Sequence, residues 1–540
     1  MRRAARRAAG VSENAAKKSV VPGAGVGKLV EIDALAPGAL DAVDNGYNGS
    51  SGDGSTDALP VVAFVWRADG DADATSAGAR VRGVVAAQPI RPDSRLAVRA
   101  RQEGIPLVAS PSLRGAENAA RAARALANEW VSLVASDSGD VLLSRASDAE
   151  IAEAKRRHAS SSRDGHSSRR RAPVPTRPIV PREVRAVTCR PLSEATPPRA
   201  GYKAAACGDL LRVASRPGSG FRAPDGVFLP FGCAESALRE QGLEPDMRRA
   251  AAALDDAIER GLGDAEVERR RVEAQRVAAE ARLPDAVAAT VCAAFWDGPD
   301  AENTRLVVRA SADVEDPAGA GGAEIYASVA GVPANNARAL AEAVSEVWRS
   351  LFSRGAVVLR RAVGAENAGA RMAVVVQALL PADLSFHLHT GGALENGLVR
   401  RVEENQTGTG AGLAPLPSPV MEAEIVVGSG EALRSRLADG RGGEPWRVEV
   451  DQRTGEVRTT RFASVGAARF LDADAPGGWR EEAVDYSRRA LSSDADARRR
   501  LAARLAAAAA ALEAEAGAAQ NAEGCVVGEE VWVVQTRPQP

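Results

Sequence analysis

Residues 523–539 read Glu-Gly-Cys-Val-Val-Gly-Glu-Glu-Val-Trp-Val-Val-Gln-Thr-Arg-Pro-Gln. Within them Val531 to Gln535 is an apolar run with β-branched residues, which predicts a strand. Side chains alternate across a strand, so Gln535 and Arg537 face one side. Working back along the chain, runs at Arg305 to Val308, Met372 to Val376, Ala423 to Val427 and Trp446 to Val450 predict further strands. Helical patterns lie between them: Met247 to Leu283, Asn335 to Ala362 and Ser492 to Ala516. In the second, Leu340, Val344, Val347, Trp348 and Leu351 fall on one face. Strands mixed with long helices predict an α/β (or α+β) domain over residues 199–540.

A second globular unit precedes it. Leu59 to Trp66, Val81 to Ala87, Ile105 to Ser110 and Val131 to Val134 read as strands, and Gly115 to Glu129 has helical character, so residues 25–150 predict a compact α/β unit. Residues 151–198 lose apolar periodicity to Lys, Arg, Ser, Gly and Pro and read as a disordered basic linker. Residues 1–24 begin with an Arg- and Ala-rich, acid-poor stretch that suits either an organelle transit peptide or a basic tail.

The 540 residues carry 45% hydrophobic residues and a formal net charge of −2. That balance gives no electrostatic footprint for nucleic acid. No apolar run approaches the roughly 18 residues of a membrane-spanning helix. Five scattered cysteines (Cys189, Cys207, Cys233, Cys292 and Cys525) include no Cys-x-x-Cys pair and fit a reducing compartment.

Several segments, taken in order, resemble one family. Gly201-Tyr-Lys-Ala-Ala-Ala-Cys-Gly208 resembles the Gly-Lys loop opening the nucleotide domain of pyruvate phosphate dikinases, phosphoenolpyruvate synthases and glucan dikinases. Val308-Arg-Ala-Ser-Ala-Asp-Val-Glu-Asp-Pro317 is similar to their Arg-Ser-Ser…Glu-Asp element, and Gly428-Ser-Gly-Glu431 to their Gly-Leu-Gly-Glu turn. Residues 523–539 resemble their closing strand. Asp383-Leu-Ser-Phe-His-Leu-His-Thr390 and Val484-Asp-Tyr-Ser487 are similar to the phosphoglucan, water dikinase branch.

That resemblance implies an ATP-grasp domain, with ATP and Mg²⁺ as cofactors, α-glucan or starch as partner and a plastid location. It implies that Lys203, Arg309, Gln377, Glu431, Gln535 and Arg537 contact ATP, that Glu523 and Gln535 hold the metal, and that Glu523 is catalytic. The residue types suit a bound polyphosphate. Lys203 is a point charge for phosphates, Arg309 a planar fork, and Glu523 an oxygen ligand of the kind Mg²⁺ prefers. Asp313, Glu315 and Asp316 fit either a phosphate loop or a polar surface loop. His387 and His389 alternate on a strand and read as core or surface side chains.

The N-terminal unit, through Gly83-Val-Val-Ala-Ala and Ser94-Arg-Leu-Ala-Val-Arg-Ala-Arg-Gln-Glu103, looks like the family's swivelling phosphohistidine domain. Arg95 stands where that domain carries its phosphate-accepting histidine. A guanidinium has no lone pair to offer, so it is no substitute for imidazole. Asn521 stands where the family usually has Asp, Gly355 where it has Arg, Ala310 where it has Ser, and Tyr202 where it has a small residue. Two readings stay open: a dikinase-type phosphotransferase and a non-catalytic nucleotide-binding relative.

Overall fold

Three multi-stranded sheets gather the apolar runs, each lined on at least one face by the residues that alternation turns inward. The structure is a computed structural model. It describes residues 18–539 apart from 36–39, 41–58, 68–79, 89, 91–95, 98–99, 101–103, 110–120, 122, 137–140, 164–178, 261, 263, 297–300, 315–324, 392–419, 431–432, 434–443, 473–474 and 476–477. Of the helical segment expected at Gly115 to Glu129, residues 115–120 and 122 lie outside the described residues, and 123–125 are helical.

The N-terminal unit contains β1 (Lys18–Val21), β2 (Gly23–Ala34), β3 (Val61–Arg67), β4 (Val81–Ala86), β5 (Leu107–Ala109), β6 (Trp130–Ala135) and β7 (Val141–Arg145). They form one sheet in the order β1-β5-β4-β3-β2-β6-β7. Its centre, from β2 to β5, is parallel, and its flanks are antiparallel. Strands buried on both faces read as unbroken apolar runs, and Val61 to Val65 are all buried.

Of the expected disordered linker, 151–198, residues 164–178 lie outside the described residues, while its two ends are structured. Helix α1 (Asp148–Arg163) runs into it. Ser147 and Glu150 form a capping box, with Ser147 N donating to Glu150 Oε2 at 2.8 Å. Glu153 pairs with Arg156 and Arg157 along the helix. Downstream, Ile179, Val184, Val187 and Cys189 pack on the cores of the next domain, and Arg190–Pro191 is already a strand, β8.

The larger domain has two antiparallel sheets. The first, in the order β11-β10-β12-β9-β8, adds β9 (Gly226–Leu229), β10 (Arg305–Ala312), β11 (Ser328–Pro333) and β12 (Met372–Ala378). Along β10, Leu306, Val308, Ala310 and Ala312 face a helical layer. That layer comprises α3 (Cys233–Glu240), α4 (Glu244–Glu259), α5 (Asp264–Ala279), α6 (Asp285–Ala293), α7 (Ala337–Arg349) and α8 (Arg354–Val363). The opposite face of the sheet, with Phe228, Ala373 and Val375, packs on α2 (Pro197–Ala214).

The second sheet runs β16-β15-β14-β13-β19-β20. Its strands are β13 (Leu384–His389), β14 (Val420–Val427), β15 (Trp446–Asp451), β16 (Val457–Arg461), β19 (Gln520–Val527) and β20 (Glu530–Pro538), with a separate hairpin of β17 (Ala467–Leu471) and β18 (Trp479–Ala483). Its apolar face (Phe386, Leu388, Ala423, Ile425, Trp446, Val448, Ala522, Val533) packs on α10 (Ala495–Ala516), which follows the short α9 (Ala490–Ser493). Among the described residues no helix is long and apolar enough to cross a membrane.

Two of the long helical patterns are broken. The first ends at Glu259 and resumes at Asp264. The second breaks at Ser353, whose Oγ accepts from Ala356 N at 3.1 Å and so caps a fresh helix. The expected Gly-Lys loop is also helical: Gly201 and Lys203 lie inside α2, which is interrupted at Gly201 with φ 80° and ψ 169°.

Candidate functional site

Alternation on β10 turns Arg309 and Ser311 toward α2, while their neighbours fill the core. Ser311 stitches the break in α2, since its Oγ donates to Ala200 O and accepts from Ala204 N at 3.1 Å. The break needs glycine, because a Cβ on Gly201 would lie 2.5 Å from Ser311 Oγ and 2.9 Å from Ala312 O. The turn after it aims Lys203 back at β10, where Nζ donates to Ala310 O at 3.0 Å.

Arg309 is buried and reaches across to the other sheet. Its Nη1 donates to Val534 O at 3.2 Å, and its Nη2 bonds Gln535 Oε1. Val534 is the bulged residue of β20, because the register passes from Glu523↔Gln535 to Gly524↔Val533. The bulge turns the Val534 carbonyl toward Arg309. Arg222 also ties the lobes, with Arg222 N donating to Val531 O at 2.8 Å and Val533 N donating to Arg222 O at 2.9 Å.

The second sheet presents a polar face opposite its core. One cross-strand row is Arg447, Glu424, His387, Glu523 and Gln535; the next is Glu449, Glu422, His389, Asn521 and Arg537. Glu422, Glu424, His387 and Asn521 are buried. Arg447 pairs with Glu422 and, at 3.6 Å, with Glu424. His387 Nε2 bonds Asn521 Oδ1.

Lys203, Arg309, Glu523, Gln535 and Arg537, singled out in the sequence, therefore lie where α2, β10, β19 and β20 meet. Gln377 lies on the same side of the first sheet as Arg309, but its amide is engaged within the lobe. Nε2 donates to Pro224 O at 2.9 Å, and Cys207 Sγ lies 4.0 Å from Oε1. Asp313 opens the loop after β10; burial raises its pKa, and its Oδ1 accepts from Val314 N at 2.9 Å. Arg95, Glu315, Asp316 and Glu431 lie outside the described residues. Sequence reasoning missed Ser311, the structural use of Gln377 and the place of His387. The period-two spacing of His387 with His389, and of Asn521 with Glu523, was the signal for the polar face.

Residues 198–540 match the family of the pyruvate phosphate dikinase AMP/ATP-binding domain. The chain belongs to that family. The two sheets are thus the lobes of an ATP-grasp-type domain, and the α/β expectation holds. Curated relatives of this dikinase-type chain include a rifampicin phosphotransferase of Streptomyces sviceus, 31% identical over 269 residues. That match covers 49% of this chain and 26% of the relative. A rifampicin phosphotransferase of a Streptomyces species is 28% identical over 345 residues, or 63% of this chain and 34% of the relative. The matched region thus spans about a third or less of these relatives' length.

Mg²⁺ commonly keeps one or two carboxylates and takes the rest of its shell from water and phosphates. The dikinase-type site fits that pattern. Glu523 supplies a carboxylate at the meeting of the lobes, and no group of three or more His, Cys, Asp or Glu able to hold a metal occurs among the described residues. Gln535, the second expected ligand, has its oxygen turned to Arg309 in this state.

Proposed function

We propose that the chain binds ATP between its two sheets and serves an ATP-dependent phosphotransferase of the dikinase kind. One observation supports the reading: Arg309 crosses from β10 to Gln535 on β20, Lys203 holds the adjacent Ala310 carbonyl, and Gln535 pairs with Glu523 and shares its strand face with Arg537. Lys203 and Arg309 hold carbonyls at 3.0 and 3.2 Å, and both can exchange these neutral acceptors for phosphate oxygens. Glu523 would hold Mg²⁺ against the phosphates, and the ion would supply charge neutralisation there. Glu431 and Gln377 complete the set that the family resemblance assigns to the nucleotide.

For the onward reaction we propose, from the branch resemblance, phosphoglucan as acceptor. ATP, phosphoglucan and water would become AMP, phosphate and a further phosphorylated glucan, in a plastid. The names of the Streptomyces relatives favour a second acceptor class, rifampicin. In either case residues 25–150 would be the swivelling carrier unit. With Arg95 in the carrier's place this chain would not hold the phosphoryl group there, which favours ATP binding without full turnover.

The test is incubation with ATP labelled at the β-phosphate, with glucan or rifampicin present. Label on protein, glucan or drug rejects the non-catalytic reading. Restoration of labelling by Arg95→His identifies the missing nucleophile. Lys203→Ala and Arg309→Ala should each weaken ATP binding roughly tenfold or more, the scale of a charge-assisted bond. Unchanged affinity in both rejects the site.

A further inference from the structure

Asn521 lies one cross-strand row from Glu523 on the same face of β19, roughly 6.7 Å along the strand. It is 6% exposed, and its Oδ1 is held by the ring of His387, itself 7% exposed. Its amide nitrogen has no hydrogen-bond partner among the described residues. That nitrogen is not among the fully buried atoms left without a partner, so it still reaches solvent and can donate to an incoming acceptor. Arg537 is its neighbour across the β19–β20 pair, so a cation flanks it.

We infer that His387 locks the Asn521 amide so that its N–H donates to a phosphate oxygen of the nucleotide, and that the site accordingly holds a single divalent metal, on Glu523. The inference rests on the ATP-binding reading above. Charge and donor count support it. A carboxylate at position 521 would repel a triphosphate unless a second cation stood between them. An amide whose oxygen is occupied by His387 Nε2–H offers only N–H groups, which suit phosphate directly and offer a metal nothing. His387 is therefore a positioning residue. It fixes which end of the Asn521 amide faces the cleft, and without it the amide can flip.

The test uses the full chain with a non-hydrolysable ATP analogue and Mn²⁺, counted by electron paramagnetic resonance. The wild type should bind one Mn²⁺ per chain with the analogue. Asn521→Asp should add a second Mn²⁺, or tighten Mn²⁺ binding at least tenfold. Two ions in the wild type, or an Asn521→Asp variant with unchanged number and affinity, overturn the inference. His387→Leu should weaken analogue binding roughly tenfold, the scale of one hydrogen bond to a charged group, as well as lowering the thermal midpoint, because Asn521 Oδ1 loses its partner. A lowered midpoint with unchanged affinity would show a merely structural histidine and also overturn it. Failure of the wild type to bind the analogue at all would instead sink the ATP-binding reading beneath.

Discussion

Gly201→Ala tests how the site is assembled. The native backbone there, φ 80° and ψ 169°, falls in a region almost closed to residues with a Cβ. Forcing alanine into it costs about 1–3 kcal/mol. The added Cβ would also stand 2.5 Å from Ser311 Oγ and 2.9 Å from Ala312 O, both on a central strand with little room to move. Overpacking of that kind costs about 1–3 kcal/mol more. The sum is a loss of roughly 2–6 kcal/mol for one methyl group. Gly218 is the control, because it shares φ 80° but has nothing within 4 Å of its ideal Cβ. Gly218→Ala should therefore lose only the backbone part, about 1–2 kcal/mol. Urea unfolding of both variants, followed by tryptophan fluorescence, measures the two losses. Nucleotide binding should fall in Gly201→Ala alone, because Lys203 sits two residues beyond the break and is aimed by it. Equal losses in the two variants, or a Gly201→Ala protein that binds ATP normally, would refute the close approach of α2 and β10 as the origin of the site.

Other substitutions probe the same architecture. Ser311→Ala removes the partner of Ala200 O and Ala204 N, both buried, and should lower stability by roughly 2–4 kcal/mol in denaturant titration. Arg360→Ala leaves Leu351 O and Asn367 Oδ1 without the fully buried guanidinium that bonds them. It should cost about 3–5 kcal/mol, seen as a lowered thermal midpoint. Burial pushes the Glu235 carboxyl up to about 7, against the pull of Arg371. A raised carboxyl pKa means that the folded state binds the proton more tightly than the unfolded state. Its contribution is complete below the unfolded pKa of 4.5 and is lost as pH rises toward 7. Glu235→Gln should remove that decline, on the order of 1 kcal/mol per pH unit, from denaturation midpoints taken between pH 5 and 8; a variant with the wild-type slope would exclude Glu235 as its source.

Local pattern located the more apolar elements and missed others, among them strands β7, β9 and β11 and the helix α2. The apolar runs at Val61, Val81, Met372 and Trp446 all became strands, because burial on a sheet demands that composition. The strand Gly23–Ala34 was missed, since its glycines and charged residues dilute the apolar signal. Helix breaks were illegible for a different reason. Leu351 and Phe352 stay buried through the turn between α7 and α8, so the hydrophobic count continues where the backbone does not.

Sequence alone determined the α/β class and the faces of the strands, and it set the expectation that Lys203, Arg309, Glu523, Gln535 and Arg537 meet a polyphosphate. Those are properties of short windows, where period and charge can be read directly. Tertiary structure alone decided that Lys203 is carried by a helix broken at Gly201, that Arg309 spans to β20, that the Gln377 amide is held inside its own lobe, and that His387 holds Asn521. Each of these is a contact between residues more than one hundred positions apart, or a backbone break held open by one. Such contacts are fixed by strand register and helix packing rather than by neighbouring sequence, so no local pattern could announce them.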